Sequence, residues 1–221
     1  MALQENSRLW LAEALWQLDA IEFGEFTLGR TTVRSPVYVN VRKLIAHPSA
    51  LGHAALVIHE EITALQTMRH PQVAPFDLVA GVPIGGLHIA TAYSLTAKVP
   101  MIYIRPDRGE AHIEGVYRPN QTALIMDDLV TGGGSIVETA ERLAESGLFV
   151  RDAYAVVDRQ TGARERLRDL GINLRSCLTL EVILNYLMSS GYIREDQYRR
   201  SLDYLEANRG EDQADAAQVS T

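Results

Sequence analysis

The stretch Thr122–Glu138, TALIMDDLVTGGGSIVE, gathers the residues best suited to chemistry. An apolar run ends in two adjacent carboxylates, Asp127 and Asp128. A turn of glycine and hydroxyl residues follows, Thr131-Gly132-Gly133-Gly134-Ser135, and a helical pattern opens at once. In an open α/β sheet, ligands bind beyond the carboxyl ends of strands. Glycines let backbone N–H groups turn inward without side chains in the way. The start of a helix adds unpaired donors and partial positive charge, and Thr131 and Ser135 can add hydroxyl donors. Such a turn suits a phosphate monoester. The two acids suit the vicinal hydroxyls of a ribose, so the pair of features matches the span of a ribose 5-phosphate. A helix cap needs one acid, not two at the end of a buried strand. The dinucleotide fingerprint is absent, because its glycines follow the strand directly and a single acid comes about twenty residues later. No Gly-Lys-Ser/Thr of a P-loop occurs.

Two further places could face the same ligand. Gly81-Val82-Pro83-Ile84-Gly85-Gly86 reads as a second strand-to-helix turn with exposed backbone donors, or simply as a tight turn. Arg159 follows a later strand at the same sheet edge. A guanidinium there can fork onto a planar carboxylate, or form an ion pair with Asp158 or Glu165. His47, His53, His59, His70 and His88 show no metal-ligand spacing. Arg164, Arg166 and Arg168 read as a solvated helix face. The lone Cys177 reads as a small hydrophobe within a strand.

The elements needed to position these residues alternate along the chain. Apolar runs at 77–81, 100–104, 122–126, 152–157 and 174–178 read as strands. Helical patterns fall between them at 87–96, 135–146 and 164–170, while 105–116 reads as irregular. This predicts an α/β fold with a central parallel sheet covered by helices on both faces. Ahead of it stand a helix over 3–20, short β-like runs at 25–28 and 37–41, and a helix over 50–66. Two helices hinged at Gly191 fill 180–205. Residues 1–208 read as one domain, with 1–45 a small N-terminal hood, and 209–221 as a disordered tail.

Composition limits the function classes. With 221 residues and 47% hydrophobic content the chain can bury one substantial core. A formal net charge of −7 argues against a broad nucleic-acid or acidic-membrane footprint. All but two of the 21 basic residues are arginines, so chemistry needing a lysine has only Lys43 and Lys98. One cysteine permits no internal disulfide. No signal segment or membrane-length apolar run is apparent, and a cytoplasmic location is expected.

The strand, two acids, two apolar residues and Thr-x-Gly turn of Ala123–Ile136 resemble the signature of the type I phosphoribosyltransferases. FGEFTL (23–28), RSPVYVNVR (34–42), LVAGVPIGGLHIAT (78–91), VPMIYIR (99–105) and VVDRQTG (156–162) extend the likeness. Their order is similar to that in orotate phosphoribosyltransferases, above all the orotate-transferring half of UMP synthase. The resemblance implies the type I phosphoribosyltransferase fold and transfer of phosphoribosyl from phosphoribosyl pyrophosphate to orotate. It implies that Asp127 and Asp128 face the ribose hydroxyls and that Thr131, Gly132, Gly133, Gly134 and Ser135 hold the 5-phosphate. Val82, Pro83, Ile84 and Gly85 would form the pyrophosphate loop, often of unusual peptide geometry, and Arg159 would bind the orotate carboxylate. Mg²⁺ is the implied cofactor, held by substrate and in part by Asp127 and Asp128. A homodimer is implied too, with residues 34–45, which include apolar Val37, Val39 and Val41, a guess for part of its contact.

The family's mobile catalytic loop carries several lysines; the matching stretch here, Arg105 to Gly115, carries none. Arg105, Arg108 and His112 are its catalytic candidates. Two other readings stand beside the enzyme: transfer to a different nucleobase, and a non-catalytic regulator that binds phosphoribosyl pyrophosphate or a nucleotide.

Overall fold

β-Branched and apolar runs separated by helices place their strands side by side. In the computed structural model, which describes residues 2–28, 32–106 and 112–208, six strands form one sheet. They are β3 (Leu78–Gly81), β4 (Met101–Ile104), β5 (Ile113–Glu114), β6 (Thr122–Val130), β7 (Phe149–Asp158) and β8 (Asn173–Thr179). The two strands before them, β1 (Ile21–Leu28) and β2 (Thr32–Val39), pair as a separate antiparallel hairpin. The order in the sheet is β5-β4-β3-β6-β7-β8, parallel throughout except for β5.

The strands' alternating side chains divide the interior into two cores. Val79, Leu124, Met126, Tyr154 and Val156 face one side. There they pack with α1 (Ala2–Gln17), α2 (Pro48–Gln66), α3 (Gly86–Ala97), α6 (Leu180–Ser189) and α7 (Glu195–Asn208). Leu78, Ala80, Ile125, Ala153 and Ala155 face the other side, against α4 (Gly134–Glu145) and α5 (Ala163–Asp169). Burying both faces is why these strands read as continuous apolar runs.

The sheet is therefore mixed rather than purely parallel. After β4 the chain doubles back, and Ile113 and Glu114 pair with Ile104 and Tyr103 as an antiparallel edge. Two residues are too few for alternation to reveal. The hairpin is also longer than the sequence pattern suggests, because Gly24 and Pro36 interrupt its alternation. Such residues are tolerated at edges and bulges, and the register shifts between Phe23 and Phe26 and again before Leu28. Val37, Val39 and Val41 are buried within their own chain, whereas Ile45 in the same 34–45 segment is exposed. Residues 209–221 lie outside the described residues. Among those described, no helix is long and apolar enough to cross a membrane.

The connections decide where a ligand can sit. From β3 the chain crosses through α3 to β4 on one side, while β6 leads through α4 to β7 on the other. β3 and β6 thus flank the point where the winding reverses, and a crevice opens beyond their carboxyl ends.

Candidate active site

The strand that carries the acids is longer than expected. β6 runs to Val130 because Asp127, Leu129 and Val130 continue to pair with β7. Its partner on the other side stops sooner: Gly81 pairs with Met126, and Val82 N–H donates to the Met126 carbonyl at 2.9 Å. Past that point β3 turns away, and one flank of Asp127 and Asp128 is left open.

The turn that leaves β3 fits closely over this flank. A Cβ on Gly86 would stand 2.4 Å from the Met126 carbonyl oxygen and 2.9 Å from Asp127 Cα. A Cβ on Gly85 would stand 2.2 Å from Asp128 Oδ1. Contact with backbone requires glycine at Gly86, whereas at Gly85 a side chain would displace the Asp128 carboxylate. The peptide between Pro83 and Ile84 is cis, the kind of unusual geometry expected of this turn.

A crevice of about 350 Å³ lies over these groups. Val82, Pro83, Ile84 and Gly85 form one wall, and Asp127, Asp128, Leu129, Thr131 and Ser135 form the floor. Arg159, Tyr38, Val39 and Arg42 complete it. Asp127 and Asp128 differ despite being adjacent. Asp127 is buried, and its Oδ1 accepts the Asp128 backbone N–H at 2.9 Å. Burial, and then the neighbouring Asp128 charge, push the Asp127 carboxyl well above the usual carboxylate range. Asp128 faces Arg42, with Nε 3.9 Å from Oδ2. Both carboxyls border the crevice, where they can exchange hydrogen bonds with neighbouring hydroxyls.

The turn after β6 delivers Thr131 and Ser135 to the crevice, with Gly132, Gly133 and Gly134 between them. Gly133 has φ +76°, a left-handed conformation that favours glycine. It begins α4, whose first amides have no acceptor within the helix. Arg166 Nη1 donates to the Gly132 carbonyl at 3.3 Å and ties the turn to α5. The Arg164–Arg168 cluster is thus not simply a solvated face: Arg164 bonds Asp158 and Ser176, and Arg166 braces the turn.

Arg159 is 2% exposed yet lines the crevice. It does not pair with Asp158, which is held by Arg164 at 2.6 Å, nor with Glu165, which lies near Arg168. Its Nη2 donates to Ser35 Oγ at 2.7 Å and to the Val37 carbonyl at 3.5 Å, and its buried Nε has no partner. Burial works against its charge and lowers its pKa. No carboxylate offsets this cation among the described residues, which suits an anionic ligand.

The loop candidates are placed elsewhere. Arg105 Nη1 and His112 Nε2 lie 3.4 and 3.7 Å from Glu114 Oε1, and neither residue lines the crevice. Arg108 lies outside the described residues. The sequence reading missed Tyr38, Val39, Arg42 and Leu129 as crevice residues, and Ser35 as the partner of Arg159. A signal was present in RSPVYVNVR, where a polar position alternates with apolar ones, but alternation alone does not say what the strand faces.

No family model matches the chain. Over 198 residues it is 36% identical to the orotate phosphoribosyltransferase of Caenorhabditis elegans, covering 87% of this chain and 83% of that protein. The chain belongs to the orotate phosphoribosyltransferase family. The uridine 5′-monophosphate synthase of Bos taurus is 35% identical over 202 residues, which are 90% of this chain but 40% of that longer protein. Among solved structures, the orotate phosphoribosyltransferase of Aeropyrum pernix superposes with a TM-score of 0.68 at 31% identity, covering 80% of this chain and 99% of that one. The family's fold, the type I phosphoribosyltransferase fold, is the one described above.

Proposed function

We propose that this chain transfers phosphoribosyl from phosphoribosyl pyrophosphate to orotate, giving orotidine 5′-phosphate and pyrophosphate. The observation that carries the reading is the convergence, in one crevice, of two strand-borne acids, a hydroxyl-bearing helix start and a buried arginine without a carboxylate partner. The 5-phosphate fits the turn of Thr131–Ser135, where amides and hydroxyls converge. Asp127 and Asp128 accept or exchange hydrogen bonds with the ribose hydroxyls. Arg159, held by Ser35, presents its free donors to the orotate carboxylate. As the N1–C1′ bond forms, the C1′–O bond to the diphosphate breaks. The electron pair leaves with that oxygen, and the N1 proton of orotate goes to water.

Among the described residues no three His, Cys, Asp or Glu side chains gather as a metal cage. Two carboxylates opening onto a phosphate-sized crevice fit Mg²⁺, which commonly takes one or two protein carboxylates and completes its shell with substrate phosphates and water. Asp127 and Asp128 would hold it, and when bound it supplies positive charge to the phosphate oxygens. We read the active form as a cytoplasmic homodimer. Leu95 on α3 and Val116 after β5 are each more than three-quarters exposed, apolar surface that a second copy can cover.

The test is the fall of orotate absorbance when purified protein meets phosphoribosyl pyrophosphate and Mg²⁺, with release of pyrophosphate in equal amount. A folded protein that binds the donor without turnover would establish the regulator instead. Turnover of a different base in preference to orotate would reassign the acceptor. A monomer by sedimentation during turnover would remove the dimer.

A further inference from the structure

Five ionisable side chains line the crevice: Tyr38, Arg42, Asp127, Asp128 and Arg159. The two cations are held very differently. Arg159 is buried and tied to β2 through Ser35 and the Val37 carbonyl. Arg42 stands on the short 3₁₀ helix Val41–Ala46 that follows β2, with a side chain 53% exposed. Its contact with Asp128 is a loose one at 3.9 Å, and no hydrogen bond joins its guanidinium to another described residue. A narrower recess beside the crevice is bordered by Arg42, Gly85, His88 and Asp128. Arg42 thus borders both spaces together with Gly85, the last residue of the Val82–Gly85 turn, which has no cationic side chain of its own.

This placement matters because Arg105 and His112 do not line that wall. Arg105 and His112 converge on Glu114 instead. A diphosphate leaving group collects negative charge as its bond to C1′ breaks, and preorganised cations aimed at such charge lower the barrier. We propose that Arg42 is a catalytic residue of this chain: its guanidinium moves from Asp128 to the diphosphate of the donor and meets the charge that develops there. This rests on the phosphoribosyltransferase reading of the crevice. A planar guanidinium forks onto two phosphate oxygens, and it transfers no proton. The electron pair of the broken C1′–O bond stays on the diphosphate. The same movement releases Asp128 to the ribose hydroxyls, so donor binding exchanges an internal ion pair for two contacts with the ligand.

The experiment compares the wild-type chain with Arg42→Met and Arg42→Lys. Calorimetry with pyrophosphate and Mg²⁺ should show about tenfold or more weaker binding by Arg42→Met. Ribose 5-phosphate, which reports the other end of the site, should bind within about twofold of wild type. In turnover, kcat/KM for the donor should fall about 10²-fold, with KM for orotate unchanged. Arg42→Lys should recover part of both losses by restoring the charge without the fork. The unfolding midpoints of both variants should match wild type, since the side chain is half exposed.

Unaltered pyrophosphate affinity and kcat in Arg42→Met would overturn the proposal while leaving the enzyme assignment intact. Equal loss of ribose 5-phosphate and pyrophosphate would also overturn it, by marking a general disturbance through Asp128. A wild-type chain that binds neither probe would overturn the crevice reading itself, and this inference with it.

Discussion

The carboxyl ends of β3 and β6 and the edge formed by β4 and β5 are built from neighbouring strands, yet they prepare for a ligand in opposite ways. At the first, backbone meets backbone: Gly86 lies against Met126, Gly85 lies under Asp128, and Val82 bonds to Met126. Asp127 and Arg159 are buried there, while Arg42 is half exposed, and backbone contacts frame the crevice. At the second, Arg105, Glu114 and His112 are between one-third and one-half exposed and pair with one another outside the crevice. Close packing fixes the shape that recognises a sugar phosphate. Exposed ion pairs contribute little to stability and leave the edge free to rearrange. Recognition thus rests on a close-packed frame, and the proposed charge delivery on Arg42, the half-exposed cation beside it.

Substitutions can break or sharpen this contrast. The largest effect is expected for Gly86→Ala, because the added Cβ meets backbone that cannot step aside. It should cost about 1–3 kcal/mol of stability, read from denaturant unfolding. Activity should drop about 10²-fold, since the acids shift with the strand. Near-normal activity would show that the preformed frame is dispensable.

Next comes Arg159→Ala. Removing a buried charged donor should weaken orotate about 10–100-fold in kcat/KM and abolish the preference for orotate over uracil, measured by competition. A retained preference would move base recognition to another residue.

Asp127→Asn separates activity from stability. Because burial and Asp128 raise the Asp127 pKa in the folded chain above its unfolded value near 3.8, the folded state binds this proton more tightly. The corresponding stability is fully present below the unfolded pKa and is lost as pH rises through the folded one. The variant should lose activity, yet unfold at a higher temperature than wild type at pH 7. The gap should close toward pH 4. A gap that widened on acidification would reverse the assigned direction.

The smallest effect belongs to the edge. Glu114→Gln weakens the contacts to Arg105 and His112 and should change stability by less than about 0.5 kcal/mol. If it also raises kcat, the edge ion pairs restrain groups needed in turnover. If activity collapses, the edge is as finely set as the crevice.

The comparison also explains what could be read in advance. The acids of 127–128, the turn of 131–135 and the alternation of strands with helices are local patterns, legible because adjacent residue types carry both the fold signal and the chemistry. Arg159 was legible as a carboxylate binder only beside an alternative ion pair, and its lack of a carboxylate partner required knowing that Arg164 reaches Asp158 first. Arg42 and Ser35 were not legible. They belong to a hairpin and turn distant in sequence from β6 and β7, and only packing brings Ser35 within 2.7 Å of Arg159 across 124 positions. The antiparallel β5 was missed because two residues leave no periodic trace.

The sequence by itself determined that an acid pair and a glycine-hydroxyl turn stand at the end of an apolar strand in an α/β chain, since local spacing sets which groups share a turn. Only the tertiary structure decided that β3 stops at Gly81 while β6 runs on to Val130, that Arg42 enters the crevice, and that Arg105 and His112 remain outside it. Those outcomes depend on which strands pair and where pairing stops, and these are set by contacts between distant segments that no local pattern encodes.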